Sequence, residues 1–421
     1  MFRNPNPGKK KKEEIYRMKN RWLVLFSSII INMCLGSAYA WSVFQKPLIA
    51  IFKWTTGEAN LAFTISLSII PVAMIIAGKI QDRQGPKMVI MVGGLLFGAG
   101  IIGAGFTDSL GWLYMTYGLL GGVGIGAAYA CTIANTVKWF PDKRGLAGGL
   151  IAAGFGAGAI VFAPLGAQLV AAQGVLGAFK ILGIIYAVAV VLAAFMVDRP
   201  PAGYKPEGWN PPPPSASSIV SGVDKNWGQM LSDPMFYVLW AMYTIGCISG
   251  LMIIGHASPI GQEMVKLNPQ TAAIAISFLA IANTFGRVFW GFVSDKIGRY
   301  NSLMAMYVVA GAAMYFLSSV GTFEAFVIVL MLIGVCFGGF LGTFPAITAD
   351  MFGAKNLGMN YGIIFTAYGL AAFIGPRMAS LIKEANKGDY SQAFLIAAAL
   401  SIAGVLLTLF ASYKKKKMAA A

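Results

Sequence analysis

From Trp22 to Ser412 the chain alternates apolar runs with short polar breaks, and each run is long enough to cross ~30 Å of hydrocarbon as a helix. About twenty apolar residues per crossing predicts twelve spans. The first six cover 22–50, 59–79, 88–106, 111–138, 145–171 and 176–197. The second six cover 234–259, 270–293, 300–319, 324–349, 357–380 and 391–412. This is an all-α polytopic membrane protein built as two pseudo-symmetric six-helix bundles, 22–197 and 234–412. A polar linker over 198–233 joins them. It carries Pro200, Pro201, Pro206 and the run Pro211 to Pro214, a composition that cannot bury a core.

Composition supports the same class. Hydrophobic residues make up 57% of the chain and charged residues 11%, with mean hydropathy +0.70, against about 25% charged in a soluble domain. The 51 glycines suit close helix packing in lipid. A removable leader is not expected, because a basic polar stretch over 1–21 precedes a first span longer than a leader's apolar core.

A net charge of +16 first suggests nucleic acid, but its distribution excludes that partner. Lys9 to Lys12, Arg17, Lys19 and Arg21 precede the first span, and Lys414 to Lys417 lie in the tail 413–421 after the last. Most remaining Lys and Arg fall in alternate loops, so both tails are expected in the cytoplasm. The terminal lysine runs then act as anchors on anionic lipid. Cys34, Cys131, Cys247 and Cys336 all lie in spans without CxxC spacing and read as packing residues, so neither a metal nor a disulfide is expected. The run Gly121 to Gly126 lies inside a span with no strand before it, and reads as helix packing rather than a nucleotide loop.

The two halves repeat. Gly78-Lys-Ile-Gln-Asp82-Arg83-Gln-Gly85 follows the second span, and Gly291-Phe-Val-Ser-Asp295-Lys296-Ile-Gly298-Arg299 follows the eighth, at a constant offset of 213 positions. Glycines permit a tight turn there. The aspartates are expected to pair with loop bases or to cap a neighbouring helix, holding one face of the protein shut. Internal repeats of this kind mark a carrier with its site near mid-membrane. The G-x-x-x-D-[RK]-x-G-x-[RK] loop resembles the hallmark of the major facilitator superfamily, and here it stands twice in register.

Candidate chemistry is sparse. All sixteen Asp and Glu fall in loops, tails or span ends, with Asp350 nearest to burial. Lys46, Lys180, Arg377 and Lys383 sit close enough to outer span ends to snorkel. Arg287 does not; it lies inside the eighth span, about two turns from its cytoplasmic end, with no intramembrane acid. A charge at that depth is expensive and marks a functional site. A carboxylate suits it, since the guanidinium fork engages both oxygens. Asn283, one turn away on the same face, offers an amide. His256, the single histidine, stands near the outer end of the seventh span as a candidate proton relay. Tyr39, Tyr129 and Tyr368 are candidate cavity phenols, while Trp41 fits either the cavity or the interfacial belt. No span gathers the cluster of His, Asp, Glu or Cys that an enzyme would need.

Trp139-Phe-Pro-Asp-Lys-Arg-Gly-Leu-Ala147, Arg287-Val-Phe-Trp-Gly-Phe-Val-Ser-Asp-Lys-Ile-Gly-Arg299 and Asp350-Met-Phe-Gly353 resemble the oxalate/formate antiporter family, and bacterial monocarboxylate transporters are similar in the same segments. The resemblance implies a rocker-switch carrier of small carboxylates in a prokaryotic plasma membrane, without a cofactor and as a monomer. It implies that the family's eighth-helix arginine is Arg287. The family's eleventh-helix lysine falls on Tyr368, a first-helix glutamine on Ala38, and cavity aromatics on Phe337, Leu341 and Phe365. Tyr39 and Tyr129 match cavity tyrosines. An acid that related monocarboxylate carriers hold one turn before the arginine is Asn283 here. One cation in place of two favours a monoanion, lactate- or pyruvate-like, because a second carboxylate would be desolvated without a partner. Proton co-transport is expected, with oxalate/formate-type exchange as the alternative.

Overall fold

A computed structural model of the chain describes residues 20–201, 203–209 and 224–420. The basic stretch Lys9 to Lys19 and the run Pro211 to Pro214 lie outside them. Eleven helices among the described residues are long and apolar enough to cross a membrane. One of them, Arg144–Ala194, has 51 residues, or ~76 Å at 1.5 Å per residue, more than twice the hydrocarbon thickness. It is two crossings merged at Gly174, whose φ of 70° and ψ of 170° break the helix. Counting it twice gives the twelve spans expected. The remaining ones are Arg21–Phe52, Gly57–Gln84, Pro86–Ala104 and Leu110–Trp139 in the first half. In the second half they are Pro234–Glu263, Pro269–Ile297, Arg299–Leu317, Phe323–Phe352, Leu357–Ala385 and Ser391–Ala420.

Several helices outrun the apolar stretches that announced them, because their polar ends remain helical outside the hydrocarbon. The eighth span reaches Ile297 rather than 293, so Arg287 lies ~15 Å from its end, close to mid-membrane. The linker is also not wholly irregular. Trp227–Leu231 is helical, closed by a capping box in which Asn226 and Gln229 satisfy one another's backbone N–H groups. The Gly121 to Gly126 run is helical, with Gly124 against Phe97 and Gly126 against the backbone of Ile70.

Within each half, span 3 packs on span 6 and span 9 on span 12, leaving apolar side chains such as Met88, Leu192, Val308 and Leu406 exposed toward lipid. The halves meet along two seams, span 2 with span 11 and span 5 with span 8. Close approach between spans 8 and 10 comes from a glycine ladder. Gly334, Gly338 and Gly342, one per turn, lie against Leu279, Asn283 and Arg287 at the same spacing. An added Cβ at Gly338 or Gly342 would enter the backbone of Asn283 or Arg287, so the ladder fixes the segment that carries the buried cation.

Candidate functional site

At mid-membrane a cavity of about 30 Å³ lies between the halves, roomy enough for a carboxylate group or a few atoms of solvent. Tyr39, Leu67, Ile70, Tyr129 and Phe155 line it from the first half. Arg287, Leu341, Phe365 and Tyr368 complete it from the second. The wall is aromatic and aliphatic with one formal charge. Arg287 is 2% exposed and makes no ion pair among the described residues. Its Nη1 donates to the Ala152 carbonyl oxygen of span 5 at 2.6 Å, and its Nε donates to Asn283 Oδ1 at 3.3 Å. A carbonyl dipole eases the desolvation of the guanidinium without cancelling its charge. Asn283 therefore orients Arg287 rather than lining the cavity.

Space for the guanidinium comes from Gly156. A Cβ there would stand 3.0 Å from Thr284 Oγ1 and 3.3 Å from Arg287 Cζ. Sequence reasoning did not single out Gly156 or Ala152, which meet Arg287 only across the interface between halves.

Tyr39, Tyr129 and Tyr368 line the cavity together. Tyr129 stands edge-on to Phe155 with centroids 5.1 Å apart, and Tyr39 packs on the same ring at 5.3 Å. The Tyr368 ring stacks on Phe365 at 4.9 Å. Behind them Tyr243 and Tyr361 bring their hydroxyls to 3.5 Å. Neither Tyr243 nor Tyr361 was assigned a role from sequence; no spacing rule relates spans 7 and 11.

Other candidates lie elsewhere. Phe337 is buried against Gly250 of span 7 and does not line the cavity. His256 sits between spans 7 and 11, its Nε2 3.0 Å from the Pro376 carbonyl oxygen and 3.4 Å from Ser380 Oγ. Pro376 is a little over two turns beyond Tyr368 on span 11, so the imidazole belongs to the outer approach. Trp41 faces neither cavity nor lipid: it is 4% exposed, donates to Asn60 Oδ1 at 2.9 Å and packs on Tyr117.

The repeated loops form the second part of the site, on the membrane face that carries both tails. Helices Arg144–Ala194 and Leu357–Ala385 both begin at residues, Lys143 and Asn356, that make no side-chain cap. The missing cap comes from the opposite half. Asp295 accepts from the backbone N–H of Gly145 and Leu146 at 2.9 and 2.8 Å. Asp82 accepts from those of Gly358 and Met359 at 3.3 and 3.1 Å. Donors and acceptors repeat at the same 213-residue offset, so the two caps are reciprocal. Carboxylates at helix N-termini also gain from the macrodipole. Gly78 lies against the backbone of Gly358, and Gly291 against that of Gly145, approaches no side chain would allow. Gly85 and Gly298 end their helices at φ 94° and 88°, where L-residues are strained.

Charge pairing differs between the two arms. Asp295 pairs with Arg299 at 2.7 Å, and Arg299 and Arg144 both bind Asp350, at 2.9 and 2.6 Å. Among the described residues the other arm has a single pair, Lys138 with Asp82 at 2.8 Å. Lys296 stands over the Phe292 ring and Arg83 projects outward, so neither joins the pairs.

One face held shut by caps between the halves, a central cavity shared by both and a buried cation without a carboxylate partner among the described residues suit a membrane carrier. The chain is similar in fold to the fucose transporter FucP captured in its outward conformation, with TM-score 0.67 at 17% identity, covering 92% of this chain and 98% of that one. It is 31% identical to the oxalate:formate antiporter of Oxalobacter formigenes over 93% of this chain and 91% of the relative. It is 26% identical to monocarboxylate transporter 12 of Xenopus laevis, over 89% and 85% respectively. The sequence profile of the Major Facilitator Superfamily matches residues 21–264 and again 252–420. The chain is thus a multi-pass membrane transporter of the major facilitator superfamily, in its oxalate:formate antiporter-like branch.

Proposed function

We propose that this transporter carries small monocarboxylates, lactate- or pyruvate-like, by alternating access with proton co-transport. The observation that carries the reading is Arg287: a fully buried guanidinium with no carboxylate partner, in a cavity that holds no second cation. A carboxylate bound there forms two parallel N–H···O bonds and neutralises the charge. A dianion would bring a second buried carboxylate facing Tyr368, an uncharged phenol, which costs several kcal/mol. Tyr39, Tyr129 and Tyr368 supply hydroxyl donors around the anion, and the apolar wall of Leu67, Ile70 and Phe365 suits a short alkyl tail.

Positive charge on the tail face supports a cytoplasmic location for both ends in a prokaryotic plasma membrane. A single chain contains the whole site, consistent with action as a monomer. The reciprocal caps of Asp82 and Asp295 would then close the cytoplasmic gate and part when the cavity opens inward.

Anion exchange is the second reading, favoured by a specific observation. The cavity wall contains no carboxylate or histidine to take a proton, and His256 lies outside it. An empty site left positive would resist reorientation until an anion refills it. Proteoliposomes separate the two. An inward proton gradient should drive accumulation of labelled lactate or pyruvate without internal anion; uptake that instead demands internal formate or oxalate and ignores the gradient would replace symport by exchange.

A further inference from the structure

A second cavity lies apart from the central one. On the tail face, about 510 Å³ opens between the halves, beside the span 2–span 11 gate. Lys79, Asp82 and Arg83 line it from the first half, and Trp227, Lys355 and Asn356 from the second. Asp82 is already engaged by Lys138 and two backbone N–H groups. Lys79, Arg83 and Lys355 make no ion pair with any carboxylate among the described residues. Asp224, the other nearby acid, accepts the Lys355 backbone N–H at 3.1 Å. The cavity is therefore net positive, with cations on both banks.

Its far wall is held firmly. The segment before helix Trp227–Leu231 is stitched to the loop between spans 10 and 11. Lys225 N–H donates to the Phe352 carbonyl at 2.8 Å, and the side-chain amides of Asn356 and Asn360 donate to the Lys225 carbonyl at 3.1 and 3.0 Å. Trp227 consequently presents a half-exposed indole at a fixed place in the wall. The bias of basic residues toward one membrane face explains that three cations occur there. It does not explain their convergence on one cleft from both halves beside an anchored indole.

We propose that this cavity binds a phosphate group and thereby selects the conformation in which the tail face is closed. Phosphate oxygens take charge-assisted bonds from Arg and Lys together. A phosphate reaching Arg83 on one bank and Lys355 on the other is held fully only while the halves are together. Its differential affinity then shifts the conformational equilibrium toward closure. The phosphate can come from an anionic lipid headgroup, with Trp227 at the headgroup level, or from free phosphate in solution.

The test uses the full chain in nanodiscs, with spin labels on Met88→Cys and Ile297→Cys, exposed tail-face positions on opposite halves. Distances are measured in phosphatidylcholine alone, in phosphatidylcholine with phosphatidylglycerol, and in phosphatidylcholine with inorganic phosphate. The short, closed-state distance should gain population in at least one anionic condition, and which one identifies the source. The double variant Arg83→Gln/Lys355→Gln should need about tenfold more of that anion for the same shift, the change expected when charge-assisted bonds are lost. Lys205→Gln, a lysine outside the cavity, should respond as the wild type does. Equal melting temperatures without added anion would establish that the double variant is folded. The proposal fails if neither anion changes the distances, or if the double variant responds like the wild type.

Discussion

Removing Asp295 should unlatch the tail face, by an amount that follows from its bonds. In Asp295→Ala the helix beginning at Arg144 loses the side-chain acceptors that serve Gly145 and Leu146. Losing a helix N-cap costs about 0.5–2 kcal/mol. Arg299 also loses one of its two carboxylate partners, but it stands four residues from Asp295 in the same half, so that loss falls on the open and closed states alike. The closed state is therefore destabilised by about 0.5–2 kcal/mol, or about two- to thirtyfold in the equilibrium at 1.4 kcal/mol per decade. Asp82→Ala removes two longer cap bonds, at 3.3 and 3.1 Å, so a smaller shift of about two- to tenfold is expected; its pair with Lys138 lies within one half and weighs on both states alike. Spin-label distances between Met88→Cys and Ile297→Cys in the substrate-free protein measure both. The long-distance population should rise in the order wild type, Asp82→Ala, Asp295→Ala. Unchanged distributions in Asp295→Ala, or the reverse order, would refute the reciprocal-cap mechanism.

Two substitutions examine the walls of the central site. Gly156→Ala places a methyl 3.3 Å from Arg287 Cζ, forcing the guanidinium aside by a few tenths of an ångström. Carboxylate affinity should fall about three- to tenfold by calorimetry while the protein still inserts and melts normally, and Gly156→Leu should abolish binding; full affinity in both would mean the guanidinium does not need that space. Tyr368→Lys puts a second cation into the cavity, and competition binding should shift preference from lactate toward oxalate. Unchanged preference would show that position 368 does not select substrate charge.

Much of this architecture was legible in the chain. Spans follow from hydrophobic length alone, since lipid allows no other solution for a backbone of twenty apolar residues. The gate was legible because Asp82 and Asp295 recur at one offset with their glycines, a coincidence that positive-inside charge does not produce. Arg287 announced itself by cost. What stayed hidden depends on contacts between distant segments. Ala152 and Gly156 look like ordinary small residues in a glycine-rich span, and only the seam between spans 5 and 8 brings them to Arg287. Tyr243 and Tyr361 share no helix face, so their pairing exists only in three dimensions. The short Trp227–Leu231 helix was masked by its proline-rich neighbourhood, although its Asn226/Gln229 capping box was present to be read.

The central claim is that one buried guanidinium holds the substrate carboxylate. Its most direct test is equilibrium binding of lactate, pyruvate and formate to purified wild-type protein and to Arg287→Ala, with melting temperature recorded as a check on folding. Truncating one partner of a buried charge pair costs about 2–5 kcal/mol, so affinity should drop at least about thirtyfold while the variant remains folded. Binding in Arg287→Ala within a few-fold of the wild type would contradict the account.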